Sequence, residues 1–584
     1  MCGIIAIAGK NTDSIKDSSV EAMLTCIHKR GPDDKGFERA GDSTSDSTSG
    51  SILGMTRLAI VDLSPAGHQP MKDNEGPYTI VFNGEIYGYK DLRAELERKG
   101  HVFRSHSDTE VILKSYAEYG ASCVDHIDGM FAFALWDDAK KELFIARDRF
   151  GKKPFYYAFH DGMFIAGSEI KTIFAAGLFK GIVDPGSIAD YLRLGYIPPY
   201  KTIYSNVHTL PPAHAGIVKD GSLESRRYWQ IEKKKTAASY GEAKAEIKRL
   251  FAKAVEKRMV ADVEIGSLLS GGVDSTIVTL EAHKHMDRPI KTFSVGYGEA
   301  KDELSYAKAA SEKIGTDHYT LAAEKPDLEA LKEVIGYFDE PHADSSDFPQ
   351  HLVSKLAASK VKVALTGDGA DELFMGYGWY QKYWHTPLHQ RLFHTHFSSY
   401  KKMTGVFSDG QVQSLIKKKD SSDHSYEKKI LVDAPRGTGK INAFDLNIYL
   451  PGQLLTKVDR TSMMHSLEIR SPFLDTEFAE YIYSLPIEFK INKTENKIIL
   501  KDILAEVFPK EFVYRRKQGF GAPVDIWLKA ETVQKKISSI MDDPSHPIFA
   551  YIDQAKARGI TGNYRLWTFL CLALWFELHH KDHA

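Results

Sequence analysis

The chain has 584 residues, and 76 Lys+Arg against 78 Asp+Glu leave a formal charge of −2. At roughly 150 residues per domain this length implies more than one domain, and 43% apolar with 26% charged residues excludes wholesale disorder. The near-neutral balance leaves no electrostatic footprint for nucleic acid, and four cysteines (Cys2, Cys26, Cys123, Cys571) without a CxxC pair argue against a disulfide framework or a zinc ribbon.

MCGIIAIAGK has no basic segment before its apolar stretch, so no secretory signal is expected. The most apolar run, 566–576, is too short to span a bilayer and reads as a buried helix. A cytoplasmic protein with neither membrane nor nucleic-acid partner is the expectation.

In chain order, strands are predicted at 3–9, 78–82, 131–137, 142–148, 155–159 and 163–168, all short apolar runs bounded by Gly, Asn or Asp. Helical spacing falls between them at 91–100 and 110–120. The Ser/Asp/Gly-rich stretch 41–51 reads as a solvated loop. Pro211-Pro212 and the lysine run 233–235 mark an interdomain connection, giving expected domains 2–210 and 235–584. Ile247, Leu250, Phe251, Ala254, Val255 and Met259 then form one helical face. Strands at 263–269, 291–297 and 361–366 alternate with helices at 276–286 and 303–315, which implies βαβ units and a parallel sheet. The C-terminal third reads as mostly helical.

Cys2 precedes Gly3. With Met1 removed, one residue carries a thiol of pKa about 8.5 and an α-amine of about 7.7–8.0. That amine can serve as the thiol's general base, directly or through water. Asn83, Gly84 and Glu85 follow the strand 78–82, where a turn with exposed amides is expected. An Asn side-chain NH2 and a Gly N–H are suitable oxyanion donors, and an ordinary Asn-Gly hairpin turn fits the same residues. Arg57 and Asp108 are opposite charges suited to the two ends of an amino acid.

MCGIIAIAG, RGPDD (30–34), RLAIVDLSPAGHQPM, FNGEIYGY, SHSDTE, DGMFAFALWD and ARDRFGKKPFYY together resemble the glutaminase domain of class II glutamine amidotransferases. The resemblance implies an N-terminal-nucleophile fold, two stacked sheets between helical layers. It implies that Cys2 attacks the glutamine amide, that Asn83 and Gly84 stabilise the oxyanion, and that Arg57, Glu85 and Asp108 help hold glutamine.

SGGVDS (270–275) stands between a predicted strand and a helix. Its glycines let the backbone approach a pyrophosphate, and the helix N-terminus adds amides and a favourable dipole. Asp274 is a candidate magnesium ligand. A second loop, GDGADELFMGY, follows strand 361–366 and crowds Asp368, Asp371 and Glu372 within five residues, an arrangement favoured when a cation offsets the repulsion. RGTGK (436–440) resembles the end of a Walker A loop, but Ala434 and Ile441 stand where Gly and Ser/Thr are needed, so a plain turn is expected.

SGGVDS with the second loop resembles the ATP pyrophosphatase family. Joined to the glutaminase motifs, and with FDEPHADSS, LLTKVDRTSMMHSLEIRSPFLD and KQGFGAPVDIWL, the chain resembles the glutamine-hydrolysing asparagine synthetase family over nearly its whole length. The implied architecture is α/β and α+β in two domains: an αββα sandwich, then a Rossmann-like parallel sheet with a helical C-terminal part. By that resemblance Leu269, Val295, Thr366 and Gly367 contact adenosine, and Ser270, Gly271, Gly272 and Ser275 hold pyrophosphate. Asp274 and Asp371 bind magnesium, and Lys497 supports an adenylated intermediate.

The implied reaction adenylates an acceptor carboxylate with ATP and then amidates it with glutamine-derived ammonia. Asparagine synthetases resemble GEGSDE in the second loop, whereas Asp368 stands here, one methylene shorter. A displacement of ~1 Å can cost roughly a hundredfold in rate. Aspartate is the acceptor implied, with another carboxylate, such as a sugar acid of a surface polysaccharide, as the open alternative. ATP as substrate, Mg2+ and a homodimer are further expectations of the resemblance.

Overall fold

The computed structural model describes residues 2–40, 50–234, 239–297, 304–323, 328–385, 404–418, 424–433, 438–515 and 521–580. Of the segments singled out above, 41–49, Lys235, Ala434, Arg436, Gly437 and 517–520 lie outside them.

Alternation along Gly3–Gly9 organises the first half. Ile4, Ala6 and Ala8 pack into one core with Val81, Ala132, Ala134 and Trp136. Ile5 and Ile7 point the other way, onto Val20, Met23 and Leu24 of the helix Asp17–Cys26. Period-two burial on both faces is what a strand inside a layered sandwich requires.

Two six-stranded antiparallel sheets result. One runs in the order His208–Thr209, Tyr156–His160, Met163–Gly167, Gly3–Gly9, Gly50–Arg57, Asp34–Ala40. The other runs Ser222–Arg227, His214–Lys219, Glu142–Arg147, Gly129–Asp137, Tyr78–Ile86, Met71–Lys72. On the second sheet's outer face, Ile80, Phe82, Phe131 and Phe133 meet Val111, Ile112 and Leu113 of the helix Asp108–Tyr119. The order of layers is αββα.

One expectation about a strand end needs correction. The strand 78–82 does not end in a turn; it continues to Ile86, with Asn83 opposite Ala132 and Gly84 opposite Phe131. The sheet also continues beyond residue 210, because His214–Lys219 pairs with Glu142–Arg147 and carries Ser222–Arg227 on its edge. Pro211-Pro212 interrupts the chain without ending the layer.

In the second half five strands are all parallel, in the order Asp317–Ala322, Lys291–Gly296, Ile265–Leu268, Val363–Leu365, Glu468–Arg470. The first of these five in sequence, Ile265–Leu268, lies at the centre. The next two extend to one side of it and the last two to the other. The order therefore reverses between Ile265–Leu268 and Val363–Leu365, where open α/β sheets bind ligands beyond the strand ends.

The apolar run near the C-terminus is a buried helix, Asn563–His579. Among the described residues no helix is long and apolar enough to cross a membrane. All four cysteines are free thiols. Of the expected turn at 436–440, the described residues 438–440 instead open the helix Thr438–Phe444, which buries Ile441.

Candidate active sites

The pairing of Gly3 with Thr56 brings Cys2 beside Arg57 at the end of the central sheet. The Cys2 amide donates to Asn83 Oδ1 at 3.0 Å. Asn83 is fully buried, and its Nδ2 has no hydrogen-bond partner. Burial pushes the Cys2 thiol up, against a hydrogen bond from the Leu58 backbone and the charge of Arg57.

Ladder alternation explains Gly84. In an antiparallel strand, alternate residues face the paired neighbour and the free edge. The Phe82 N–H donates to Gln69 Oε1 at 2.7 Å and the Ile86 N–H to Asp108 Oδ2 at 2.9 Å, both on the edge facing away from Gly129–Asp137. The Gly84 N–H lies between them, on that same edge. A Cβ at Gly84 would sit 2.1 Å from the Met130 carbonyl oxygen, so only glycine fits.

Arg57 is buried, and its Nη2 donates to the carbonyls of Val61 (3.2 Å) and Asp62 (2.6 Å). Asp108 opens its helix, where burial pushes its carboxyl to about 6 despite the Ile86 N–H. Glu85 departs from the expectation. Its carboxylate turns away to the second domain and pairs with Arg470 Nη2 at 3.1 Å. Burial and Asp108 push the Glu85 carboxyl up, against the pull of Arg470.

Arg30 was quoted above only within a motif, yet it anchors this site. Its Nε donates to the Cys2 carbonyl at 3.1 Å, and its fork grips Asp459 of the second domain at 2.8 and 3.0 Å. Its Nη1 also reaches Glu169 at 3.0 Å.

At the switch point, Gly272 caps the helix Val273–His283 without a side-chain hydrogen bond, leaving its N-terminal amides open to an anion. Ser270 and Ser275 join their hydroxyls at 3.1 Å. Gly271 has φ +74°, and a Cβ there would lie 2.5 Å from the Tyr306 backbone. A Cβ at Gly367 would lie 2.8 Å from Asp274 Cβ, so the two loops touch. Leu269 and Val295 turn their side chains into the core, while Thr366 donates from its Oγ1 to Asp368 Oδ2 at 3.0 Å.

Lys497 places its ammonium between Asp274 Oδ2 (2.5 Å) and Asp371 Oδ1 (2.8 Å). Asp274 Oδ1 is buried with no partner. Two carboxylates converging on one cation, with a spare oxygen, fit a magnesium ion completed by substrate phosphates. Glu372 does not join them. It is fully buried, accepts from Tyr377 Oη at 2.6 Å, and burial beside Asp371 raises it to about 8. Among the described residues no group of three or more His, Cys, Asp or Glu is arranged around a metal position.

The loop residue Asp368 is pushed up by burial, with Asp274 and Asp371 adding to the shift and Lys457 opposing it. Lys457 lies within the motif LLTKVDRTS but has no predicted role in the sequence. It is buried, donates to Ser346 Oγ at 2.8 Å and pairs with Asp344 Oδ2 at 3.3 Å. A lysine inside an otherwise helical run carried no local signal of its partners 111 and 113 residues earlier.

Comparisons with known proteins agree with this geometry. A glutamine amidotransferase domain family matches residues 1–229, and the asparagine synthase family matches 246–577. The chain is 33% identical to asparagine synthetase (glutamine-hydrolyzing) 3 of Bacillus subtilis (strain 168), over 92% of this chain and 90% of that one. It is 28% identical to asparagine synthetase (glutamine-hydrolyzing) 1 of the same organism, covering 99% and 97%. Identity to the Gallus gallus asparagine synthetase (glutamine-hydrolyzing) is 29%, covering 95% and 88%.

Proposed function

The chain belongs to the asparagine synthase family, and from that premise we propose that it makes asparagine from aspartate, glutamine and ATP. The observation that carries the reading is the pair of carboxylates, Asp274 and Asp371, converging on one cation at the switch point, in the same chain as the Cys2–Asn83 pair. We place the boundary between the two catalytic units after the strand Ser222–Arg227 and before the helix Tyr240–Arg258.

In the first unit, loss of Met1 turns the Cys2 amide nitrogen into the α-amine, already oriented by Asn83 Oδ1. The amine takes the thiol proton and Sγ attacks the glutamine amide carbon. The charge that develops on oxygen meets Asn83 Nδ2 and the Gly84 N–H. Arg57 and Asp108 hold the carboxylate and ammonium of glutamine. The protonated amine returns that proton to the amide nitrogen, which leaves as ammonia, and water then cleaves the thioester to release glutamate.

In the second unit, the open helix N-terminus and the 270–275 loop receive the ATP phosphates. Asp274 and Asp371 would hold a magnesium ion, which would supply charge neutralisation to those phosphates. Lys497 then faces the α-phosphate region as a fixed cation. The acceptor carboxylate attacks the α-phosphorus and expels pyrophosphate. Ammonia attacks the adenylate carbonyl, and AMP leaves where oxide could not. We assign Asp368, beside Thr366 and facing Lys457, to proton handling at this step.

The test is pyrophosphate release from ATP with magnesium and glutamine, with and without aspartate, followed by amino-acid analysis. Aspartate-dependent pyrophosphate with matching asparagine is expected. Glutamine hydrolysis without stimulation by aspartate would move the acceptor to another carboxylate and leave the amidotransferase reading standing.

A further inference from the structure

We propose that Arg470 is a positioning residue that ties the glutamine pocket to the nucleotide loop, so that ATP in the second unit alters the reactivity of Cys2 in the first. The inference rests on the reading just given and goes beyond it by naming the physical link.

Arg470 ends the edge strand Glu468–Arg470, opposite Leu365 of its parallel neighbour. Its carbonyl accepts the Thr366 N–H at 3.0 Å, which fixes the start of the nucleotide loop. Its side chain leaves the sheet and reaches the other unit, where Nη2 meets Glu85 Oε2 at 3.1 Å. One residue therefore bonds to both sites.

The link is rigid. Nε holds Glu468 Oε1 at 2.7 Å, and Nη1 donates to the carbonyls of Arg258 (2.8 Å) and Val260 (2.7 Å). Arg470 is fully buried, and a planar guanidinium so committed has no rotamer in which to absorb a displacement. A shift of Thr366 must pass to Glu85.

Glu85 is followed closely by consequence. The residue before it, Gly84, is clamped against Met130 and carries the edge N–H; Asn83 carries the free Nδ2. Both oxyanion donors thus lie within two residues of the arginine's far contact. Donor placement matters steeply, since a misplacement of ~1 Å can cost roughly a hundredfold.

The experiment follows alkylation of Cys2 by 6-diazo-5-oxo-L-norleucine, a glutamine-shaped electrophile, using intact-mass detection. The full-length protein is compared with and without magnesium and α,β-methylene-ATP. The native protein should change its alkylation rate about fivefold or more on binding the nucleotide. R470K keeps the positive charge but loses the fork, and its change should shrink to less than about twofold. Its pyrophosphate release driven by ammonia and aspartate should stay within about threefold of native.

An R470K protein with the native nucleotide response would overturn the inference, as would a native protein with no response. Absence of any alkylation at Cys2 would remove the functional reading beneath it as well. If R470K does not fold, hydrogen exchange on the native protein decides. Nucleotide binding should slow exchange in 78–87, and unchanged exchange there counts against the link.

Discussion

Asn83 divides its amide between two tasks. Oδ1 holds the Cys2 nitrogen at 3.0 Å, and Nδ2 stays buried without a partner. A buried donor left open costs about 1–3 kcal/mol in a resting protein, so its retention points to a transition-state charge that it meets. Asn83→Ala should lower kcat for glutamine hydrolysis about 10²–10³-fold, while synthesis from added ammonia continues. Parallel assays of glutamate and pyrophosphate check this. Asp108 adds a pH dependence. Burial raises its carboxyl to about 6, and in the glutamine-holding role proposed for it only the ionised form attracts an ammonium. Glutamine kcat/KM should therefore fall as pH drops through about 6 and level off above it, with Asp108→Asn low throughout. These residues stand out in the sequence because their types suit the chemistry proposed for them. The direction of the Glu85 carboxylate does not, since its partner Arg470 is 385 positions away.

Strand, loop and helix were read well where hydrophobic period and glycine punctuation agreed, as in Ile265–Leu268, the 270–275 loop and Val273–His283. They were misread where polar residues occupy a strand for a chemical reason. Asn83 and Gly84 look like a turn, yet the strand runs through them, because the ladder with Gly129–Asp137 supplies the pairing while the Asn83 side chain turns to Cys2. The short strand Glu468–Arg470 gave no apolar run at all; buried ion pairs replace the usual aliphatic side chains. At the nucleotide loop the glycines act through closeness. Gly271→Ala would force a positive-φ residue against the Tyr306 backbone, straining the loop by about 1–3 kcal/mol. Its expected signature is a KM for ATP raised about tenfold or more, with Cys2 glutaminase activity near native. Equal loss in both assays would instead mean a general folding defect.

Across the whole molecule the two units are joined by buried charge. Arg30 and Asp459 form a bidentate pair with essentially no solvent contact, and Arg470 reaches Glu85 through a single buried contact at 3.1 Å. Such pairs are weak sources of net stability, because desolvating two ions offsets their attraction, but removing one partner strands the other. Asp459→Ala should therefore lower unfolding free energy by about 3–5 kcal/mol, read from urea titration. Replacing both partners, Arg30→Met with Asp459→Leu, should recover most of that loss, since Glu169 keeps Arg460 at 3.1 Å and Lys171 at 2.7 Å. Activity should not recover with it. Arg30 Nε also holds the Cys2 carbonyl, and methionine offers no donor there. The double variant should be as stable as native within about 1 kcal/mol, yet hydrolyse glutamine at least about tenfold more slowly. Recovery of both would make the pair a structural seam only. Recovery of stability alone separates the two roles and assigns Arg30 to the placement of the nucleophile.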